Sequence, residues 1–192
     1  MNKGLYTFAK ALFTAYFALL CPLDVTGAEN IPEDGAVMLC CNHVSYMDPI
    51  MLAVINKRPI TFMAKKEFFD NRFTRPIFEA LGAIPVNRGG TDIQSVRRCM
   101  EVLREGKLFG IFPQGTCNPE GIRDLSKRKP VLTGSAVIAH RTNAAVIPVL
   151  LPDHFHVLRK NRVCIGKRIP LGKTPQETTK VIENGIWSML DC

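Results

Sequence analysis

The stretch Asn42-His43-Val44-Ser45-Tyr46-Met47-Asp48-Pro49 holds a histidine five residues ahead of an aspartate. On a helix five residues turn roughly 500°, about 140° off alignment, so the two side chains share no helical face. Pro49 biases Asp48 away from the helical region. A turn is expected here, and a turn can fold the carboxylate back onto the imidazole. A carboxylate on one ring nitrogen fixes the tautomer and leaves the other free to take a proton. That is apparatus for activating a hydroxyl. No serine or cysteine is obliged to act as nucleophile, because a substrate alcohol can do so once deprotonated. A His–Asp pair taken alone is also compatible with a purely structural hydrogen bond.

Two further stretches have ligand chemistry. Gly82-Ala83-Ile84-Pro85-Val86-Asn87-Arg88-Gly89-Gly90 ends an apolar run with an arginine and two glycines. Glycine lets backbone approach a ligand, and arginine gives a forked grip on phosphate. Neither G-x-G-x-x-G nor a Walker lysine is present, so a nucleotide fold is not indicated. Phe112-Pro113-Gln114-Gly115-Thr116 is a proline–glycine turn that can present Gln114 and Thr116 to a ligand. Lys65 and Lys66 close another apolar run, where a phosphate-facing role is plausible. His154 and His156 have only Asp153 nearby, so no metal site is expected.

The elements that position these residues follow from apolar runs. Residues 37–41, 60–65, 83–88, 108–112, 145–151 and 162–169 read as strands, the first as a fully buried one. A helix is expected over Asp92–Glu105. It opens with a Thr91–Gln94 capping box and places Ile93, Val96, Met100 and Leu103 on one face. Thr174, Pro175 and Glu177 start a last helix running to about Leu190. Residues 24–35 have turn chemistry throughout. Strands alternating with helices predict a single α/β domain with a largely parallel mixed sheet covered by helices. Ligands in such sheets collect at the carboxyl ends of strands, where all three stretches lie.

Ahead of this domain, residues 5–21 are apolar and aromatic-rich, with Lys10 in the middle. The uncharged run Ala11–Leu23 spans about 20 Å as a helix, short of a roughly 30 Å hydrocarbon core. No small-x-small cleavage site follows it, so a signal peptide is not favoured. Residues 1–22 are expected to form a helix lying in one leaflet, with Tyr6 and Tyr16 at headgroup level. The alternative is a helix packed on the domain's own core.

Composition narrows the partners. The 192 residues carry a net charge of +8. Residues 1–64 hold 4 Lys and Arg against 5 Asp and Glu, and the remainder 21 against 12. The basic excess sits in the later two-thirds and calls for an anionic partner. A nucleic-acid module with interleaved aromatics is absent, so nucleic acid is not expected. Seven cysteines without a CxxC pair fit reduced thiols in a reducing compartment rather than a disulfide framework. At 46% hydrophobic and 22% charged the chain is globular, not disordered or fibrous.

In order and spacing these stretches resemble the glycerolipid acyltransferase family, most closely the lysophosphatidic acid acyltransferase type. The match runs from about Thr26 to Pro170: His43 to Asp48, Gly82 to Gly89, Phe112 to Thr116, and Val146-Ile147-Pro148-Val149. The resemblance implies the glycerol-3-phosphate acyltransferase-like fold over residues 23–192. It makes His43 the general base and Asp48 the residue that orients it. It makes Asn42, Lys65, Lys66, Asn87, Arg88, Gly89, Phe112, Pro113, Gln114, Gly115 and Thr116 the substrate-binding set. The implied reaction moves a fatty acyl group from acyl-CoA or acyl carrier protein to the sn-2 hydroxyl of lysophosphatidic acid, with no metal or cofactor. The implied setting is the cytosolic face of the cytoplasmic membrane, monotopic or peripheral, on anionic lipid. Rival readings are another acceptor (glycerol-3-phosphate, a lysophospholipid or an acylated amino-acid lipid), a hydrolase, or a non-catalytic membrane-binding module. Two positions depart from the family. Gln114 stands where glutamate is usual, and Cys117 where arginine often follows the threonine, which removes a potential phosphate contact.

Overall fold

Val37–Cys41 (β2) is buried at every position, because a strand central in a covered sheet meets apolar side chains on both faces. The computed structural model describes residues 1–87, 92–122 and 124–192. Its elements are α1 (Lys3–Leu20), β1 (Leu23–Thr26), β2, α2 (Asp48–Ile55), β3 (Ile60–Lys65), α3 (Glu67–Asp70), α4 (Arg75–Ala80), β4 (Ile84–Val86), α5 (Ile93–Arg104), β5 (Leu108–Ile111), α6 (Thr133–Thr142), β6 (Ala145–Leu150), β7 (Asn161–Ile165) and α7 (Pro175–Trp187). The seven strands run in the order β1-β7-β6-β2-β5-β3-β4. β2 pairs in parallel with both β5 and β6, and β3 in parallel with β5 and β4. Among the described residues only β6 and β7 are strands that pair antiparallel. The α/β domain with a mostly parallel, helix-covered sheet is therefore present as expected.

Period-two alternation divides β2 between two cores. Met38 and Cys40 face Phe109, Val146 and Leu103, under α5, α6 and α7. Val37, Leu39 and Cys41 face Leu52 of α2 and Ile147 of β6. A third cluster, Phe17, Cys21 and Met51, docks α1 onto α2.

Several details correct the expectations. The segment read as all turn begins with a strand. Leu23-Asp24-Val25-Thr26 alternates apolar and polar, and β1 adds to the sheet edge beside β7. Asp48 is helical: it opens α2, and Pro49 lies in the first turn, where its missing N–H costs nothing. α5 is capped by Asp92, whose side chain accepts from the Ser95 N–H at 3.0 Å. Thr91 lies outside the described residues, and Ile93 is exposed rather than core-facing. Tyr6 is not at a headgroup level but buried, its hydroxyl accepting the Ile60 N–H at 3.1 Å. The cysteines are not all thiols, because Cys164 and Cys192 are disulfide-bonded. The chain after α7 returns beside β7, which brings together two cysteines 28 residues apart.

α1 has two apolar faces. Tyr6, Phe13 and Phe17 turn inward, and the mid-helix Lys10 donates to the Asn56 carbonyl at the end of α2. Leu5, Phe8, Leu12 and Leu19 turn outward and are exposed. Among the described residues no helix is long and apolar enough to cross a membrane.

Candidate active site

The site lies where β2, β5 and β6 end side by side. Asn42 follows β2 and accepts the Leu151 N–H at 2.7 Å while donating to the Leu151 carbonyl at 3.1 Å. At 1% exposure its amide is spent on this clamp, so it fixes the loop rather than contacting substrate. The next residue, His43, has its carbonyl held by the Asn118 N–H at 2.6 Å, which ties the β2 loop to the β5 loop.

The expected fold-back of Asp48 takes place. His43 Nδ1 lies 2.7 Å from Asp48 Oδ2, and the carboxylate is fully buried. The same oxygen accepts the Val44 N–H at 2.7 Å and the Ser45 N–H at 2.9 Å. Three donors converge on one carboxylate oxygen, and its position at the start of α2 adds the favourable end of the helix dipole. Because a carboxylate only accepts, the proton of the neutral ring sits on Nδ1, and Nε2 carries the lone pair. One face of the imidazole stacks on Phe112, centroids 4.1 Å apart and planes 20° from parallel. Phe112 in turn stacks on Phe62 at 6.0 Å.

The turn after β5 is built by Gly115. Its φ of 74° is in the left-handed region, and its N–H donates to the Phe112 carbonyl at 2.9 Å. The Leu132 N–H donates to the Pro113 carbonyl at 2.8 Å. Gln114 is buried, its amide donating to the Lys129 carbonyl at 2.6 Å, so it does not face a ligand as expected. That bond explains the amide, since a carboxylate has no proton to give to a carbonyl.

Of the expected phosphate-binding set, Lys65, Lys66 and Asn87 lie among the described residues. The Lys66 N–H donates to the Val86 carbonyl at 3.0 Å, and the Asn87 N–H to Asp92 Oδ2 at 3.0 Å. The Asn87 and Ser95 donors hold the Asp92 carboxyl down at about 2. Lys65 is engaged by Glu67 at 2.9 Å. Arg88 and Gly89 lie outside the described residues, as does Arg123. Behind the turn, Lys127 pairs with Glu120 at 2.8 Å. Arg128 lies over the Trp187 ring at 3.9 Å.

An apolar cavity of about 330 Å³ is bounded by α1, α2, β3 and α4. Its walls include Phe13, Tyr46, Ile50, Phe62, Met63 and Phe78. Tyr46 belongs to the loop between His43 and Asp48, and Phe62 contacts the Phe112 ring that lies on His43. The cavity is thus linked to His43 through the Phe62–Phe112 ring stack and the loop that carries Tyr46, without being lined by the imidazole itself.

Residues 22–151 match the family described as Acyltransferase. The chain belongs to the acyltransferase family. It is 30% identical over 145 residues to a 1-acyl-sn-glycerol-3-phosphate acyltransferase of Bacillus subtilis, covering 75% of this chain and 69% of that one. It is 32% identical over 139 residues to the enzyme of that name from Borreliella burgdorferi, covering 71% of this chain and 54% of that one. The crystal structure of the 1-acyl-sn-glycerophosphate (LPA) acyltransferase PlsC from Thermotoga maritima superposes with a TM-score of 0.73 and 25% identity. That superposition covers 98% of this chain and 78% of the other. The glycerolipid acyltransferase resemblance read from the motifs is thus borne out, as is the fold it implied.

One contact in this acyltransferase was not read from its sequence, and one cluster was read but set aside. Cys117 Sγ lies 3.1 Å from His43 Nε2, the ring nitrogen opposite Asp48. The signal was the cysteine at a position where the family often has arginine, which indicated a lost phosphate contact but no new partner. Asp153, His154 and His156 also gather after β6, with potential ligand atoms all within 4.8 Å of one another. The His154 ring is engaged by Asp153 at 3.0 Å. This group lies on the partly exposed loop that follows the sheet.

Proposed function

We propose that this protein acylates the sn-2 hydroxyl of lysophosphatidic acid, giving phosphatidic acid. The observation that carries the reading is the Asp48-held His43, joined through the Phe112 ring to the Phe62 wall of a 330 Å³ apolar cavity, in a chain of this family. His43 Nε2 takes the hydroxyl proton, and Asp48 stabilises the imidazolium that forms. The hydroxyl oxygen attacks the acyl carbonyl, and the donor's thiol departs with the proton. The donor is acyl-CoA or an acyl carrier protein thioester, whose activated carbonyl requires neither metal nor cofactor. The cavity holds the acyl chain and so brings its carbonyl to His43. Its size is within the roughly 300–1,000 Å³ of small-ligand cavities. The acceptor's phosphate is assigned to Arg88 with Lys65 and Lys66, next to the Gly115–Thr116 turn.

Residues 1–22 associate with the membrane, and residues 23–192 form the catalytic domain. The outward stripe of α1 is apolar, with Phe8 68% and Leu12 60% exposed. The loop beside its end joins it through the Leu158 N–H, which donates to the Leu20 carbonyl at 2.6 Å. That loop exposes Val157 and Leu158 beside Arg159 and Lys160. An apolar stripe with a basic collar suits one leaflet of an anionic membrane, on its cytosolic face. A second reading keeps the chemistry and changes the acceptor; the inward-turned Gln114 and the cysteine at 117 favour it.

The test is an acceptor panel: lysophosphatidic acid, glycerol-3-phosphate and other lysolipids, each with acyl-CoA and acyl carrier protein thioesters. Lysophosphatidic acid is expected to be acylated fastest. His43→Ala should lower that rate by about 10²–10⁴-fold with an unchanged circular dichroism spectrum. Faster transfer to another acceptor would select the second reading. Release of free fatty acid with acceptor present would overturn both.

A further inference from the structure

We propose that Asp153, His154 and His156 form a binding site for a divalent ion of the zinc class, and that the ion fastens the loop between β6 and β7 against the end of α1. The ion has no part in the acyl transfer described above. One ligand atom from each of the three side chains lies within 4.8 Å of the other two. The His154 and His156 rings have centroids 3.9 Å apart and planes tilted by 55°. Asp153 Oδ1 stands 3.0 Å from His154 Nδ1. Adjacent ligands on one tetrahedral zinc are roughly 3.3 Å apart, from bonds of about 2.0–2.1 Å. The Asp153–His154 pair is thus already near ligand spacing, and an ion takes the place of the proton between them. Their side chains keep solvent contact, 45% exposed for His154 and 27% for Asp153, so the small rotations that close the set uncover no core.

The loop backbone is fixed before any ion arrives. The His154 N–H donates to Asp153 Oδ1 at 2.9 Å, and the His156 N–H to Asn161 Oδ1 at 2.8 Å. Asn161 is fully buried and returns two donors, to the His156 carbonyl at 2.8 Å and the Arg159 carbonyl at 3.1 Å. Between the two histidines, Phe155 turns onto Phe17 of α1, ring centroids 5.7 Å apart and planes 84° from parallel. With the backbone held on both sides, binding has only side chains to order, which keeps its entropic cost low.

The donor set selects among ions. Two imidazoles and one carboxylate suit zinc and its transition-metal neighbours. Calcium and magnesium are held by oxygen ligands, several of them charged. Here Asp153 is the single acidic ligand, and Arg159 and Lys160 follow on the same loop. A cation held by charge alone is therefore disfavoured, whereas one held by bonds to imidazole nitrogen is not. Three protein ligands leave the fourth position of a tetrahedral ion to water or an anion.

The place of the site in the fold gives the ion its effect. Its two histidines flank Phe155, which packs on Phe17, a residue only 2% exposed. Two residues beyond His156, the Leu158 N–H donates to the Leu20 carbonyl at 2.6 Å, at the last turn of α1. Locking both histidines to one ion therefore locks Phe155 between them and resists the lifting of the end of α1. An ion that binds the folded chain and not the unfolded one also raises stability by mass action.

The deciding experiment titrates Zn²⁺ into the full chain, prepared without a histidine tag, and follows binding heat, Tm and amide hydrogen exchange. A single equivalent should bind. At about a hundredfold excess over its Kd the Tm should rise by roughly 5–10 °C, and exchange at residues 17–20 should slow. Mg²⁺ and Ca²⁺ at the same concentration should do neither. His154→Gln with His156→Gln should lose the binding, and Asp153→Asn should weaken it by about tenfold or more. Co²⁺ bound to the wild-type chain keeps the test decisive even if a variant misfolds. Nitrogen and oxygen ligands give no thiolate-to-cobalt charge-transfer band, whereas an ion held by Cys117 beside His43 gives one. That band, or binding retained by the folded double variant, overturns the site. So does an absence of Zn²⁺ binding up to about 1 mM. Binding that leaves exchange at residues 17–20 unchanged overturns the fastening of α1. Acyl transfer is measured separately and stands or falls without the ion.

Discussion

The two regions on either side of the Phe112 ring are built in opposite ways. On one side, the loops after β2 and β5 are stitched by short polar contacts, and Asn42, Asp48, Gln114 and Asn118 are all buried. On the other, the cavity beneath α1 and α2 is walled almost wholly by apolar side chains. The difference separates two tasks. Proton transfer needs atoms held to a few tenths of an ångström, which converging hydrogen bonds provide. An acyl chain has no directional groups, so only shape and dryness can hold it.

The polar side can be broken at one atom. Asp48 Oδ2 serves His43 and two partly buried backbone N–H groups, so Asp48→Ala leaves three donors without this partner and the imidazole free to change tautomer. Acyl transfer should fall by about 10²–10⁴-fold, and urea unfolding should show a loss of about 1–3 kcal/mol. Near-wild-type turnover would mean that His43 needs no orienting partner.

How far each side could be read from sequence follows the same division. The His43–Asp48 pairing was legible because a five-residue spacing shares no helical face and so asks for a turn between the two, although Pro49 misled about Asp48, which opens α2, and the central strands were legible as continuous apolar runs. The Cys117 contact was not. It joins residues 74 apart across adjacent strands, and nothing local in Gly115-Thr116-Cys117 signals where the sulfur points. Asn42 and Gln114 misled for a related reason. A polar residue in a motif reads as a ligand group, whereas here each is consumed by a backbone group far along the chain. β1 was missed because four residues at a sheet edge, paired only with the distant β7, carry too short an alternation to stand out from the turn residues that follow.

The cavity side can be tested through Gly110, whose missing side chain makes room for a wall residue. A Cβ there would lie 2.2 Å from one carbon of the Phe62 ring and 2.7 Å from another. Gly110→Ala should therefore drive Phe62 away from Phe112 and toward the cavity. Overpacking of this kind costs about 1–3 kcal/mol, visible as a lowered Tm. Activity with long-chain donors should fall more than with short-chain donors. An equal fall for both would show that the cavity does not hold the chain.

α1 belongs to both worlds, since its inner face closes the cavity and its outer face meets the surroundings. Replacing the outer Phe8 and Leu12 together by Ala leaves Tyr6, Phe13 and Phe17 in place. Binding to anionic vesicles should weaken by at least about tenfold, the equivalent of about 1.4 kcal/mol. Turnover on substrate dispersed in detergent should not change. A loss of turnover there would mean that the outer face supports the cavity and is not a separate membrane surface.

The smallest effect is expected from the basic collar. Arg159 and Lys160 lie on the exposed loop that the Leu158–Leu20 bond fixes beside the end of α1, so they are held near the membrane without entering it. Each basic side chain near an anionic surface contributes about 1 kcal/mol at most, and the attraction decays within a Debye length of about 8 Å at physiological salt. Arg159→Ala with Lys160→Ala should therefore weaken vesicle binding by roughly tenfold at low salt and hardly at all in about 1 M salt, where that length shrinks to about 3 Å. Binding to neutral vesicles should be unaffected, because the Phe8–Leu12 stripe is intact. If the double variant lost binding equally at both salt concentrations, the loop would be holding α1 in place rather than attracting lipid.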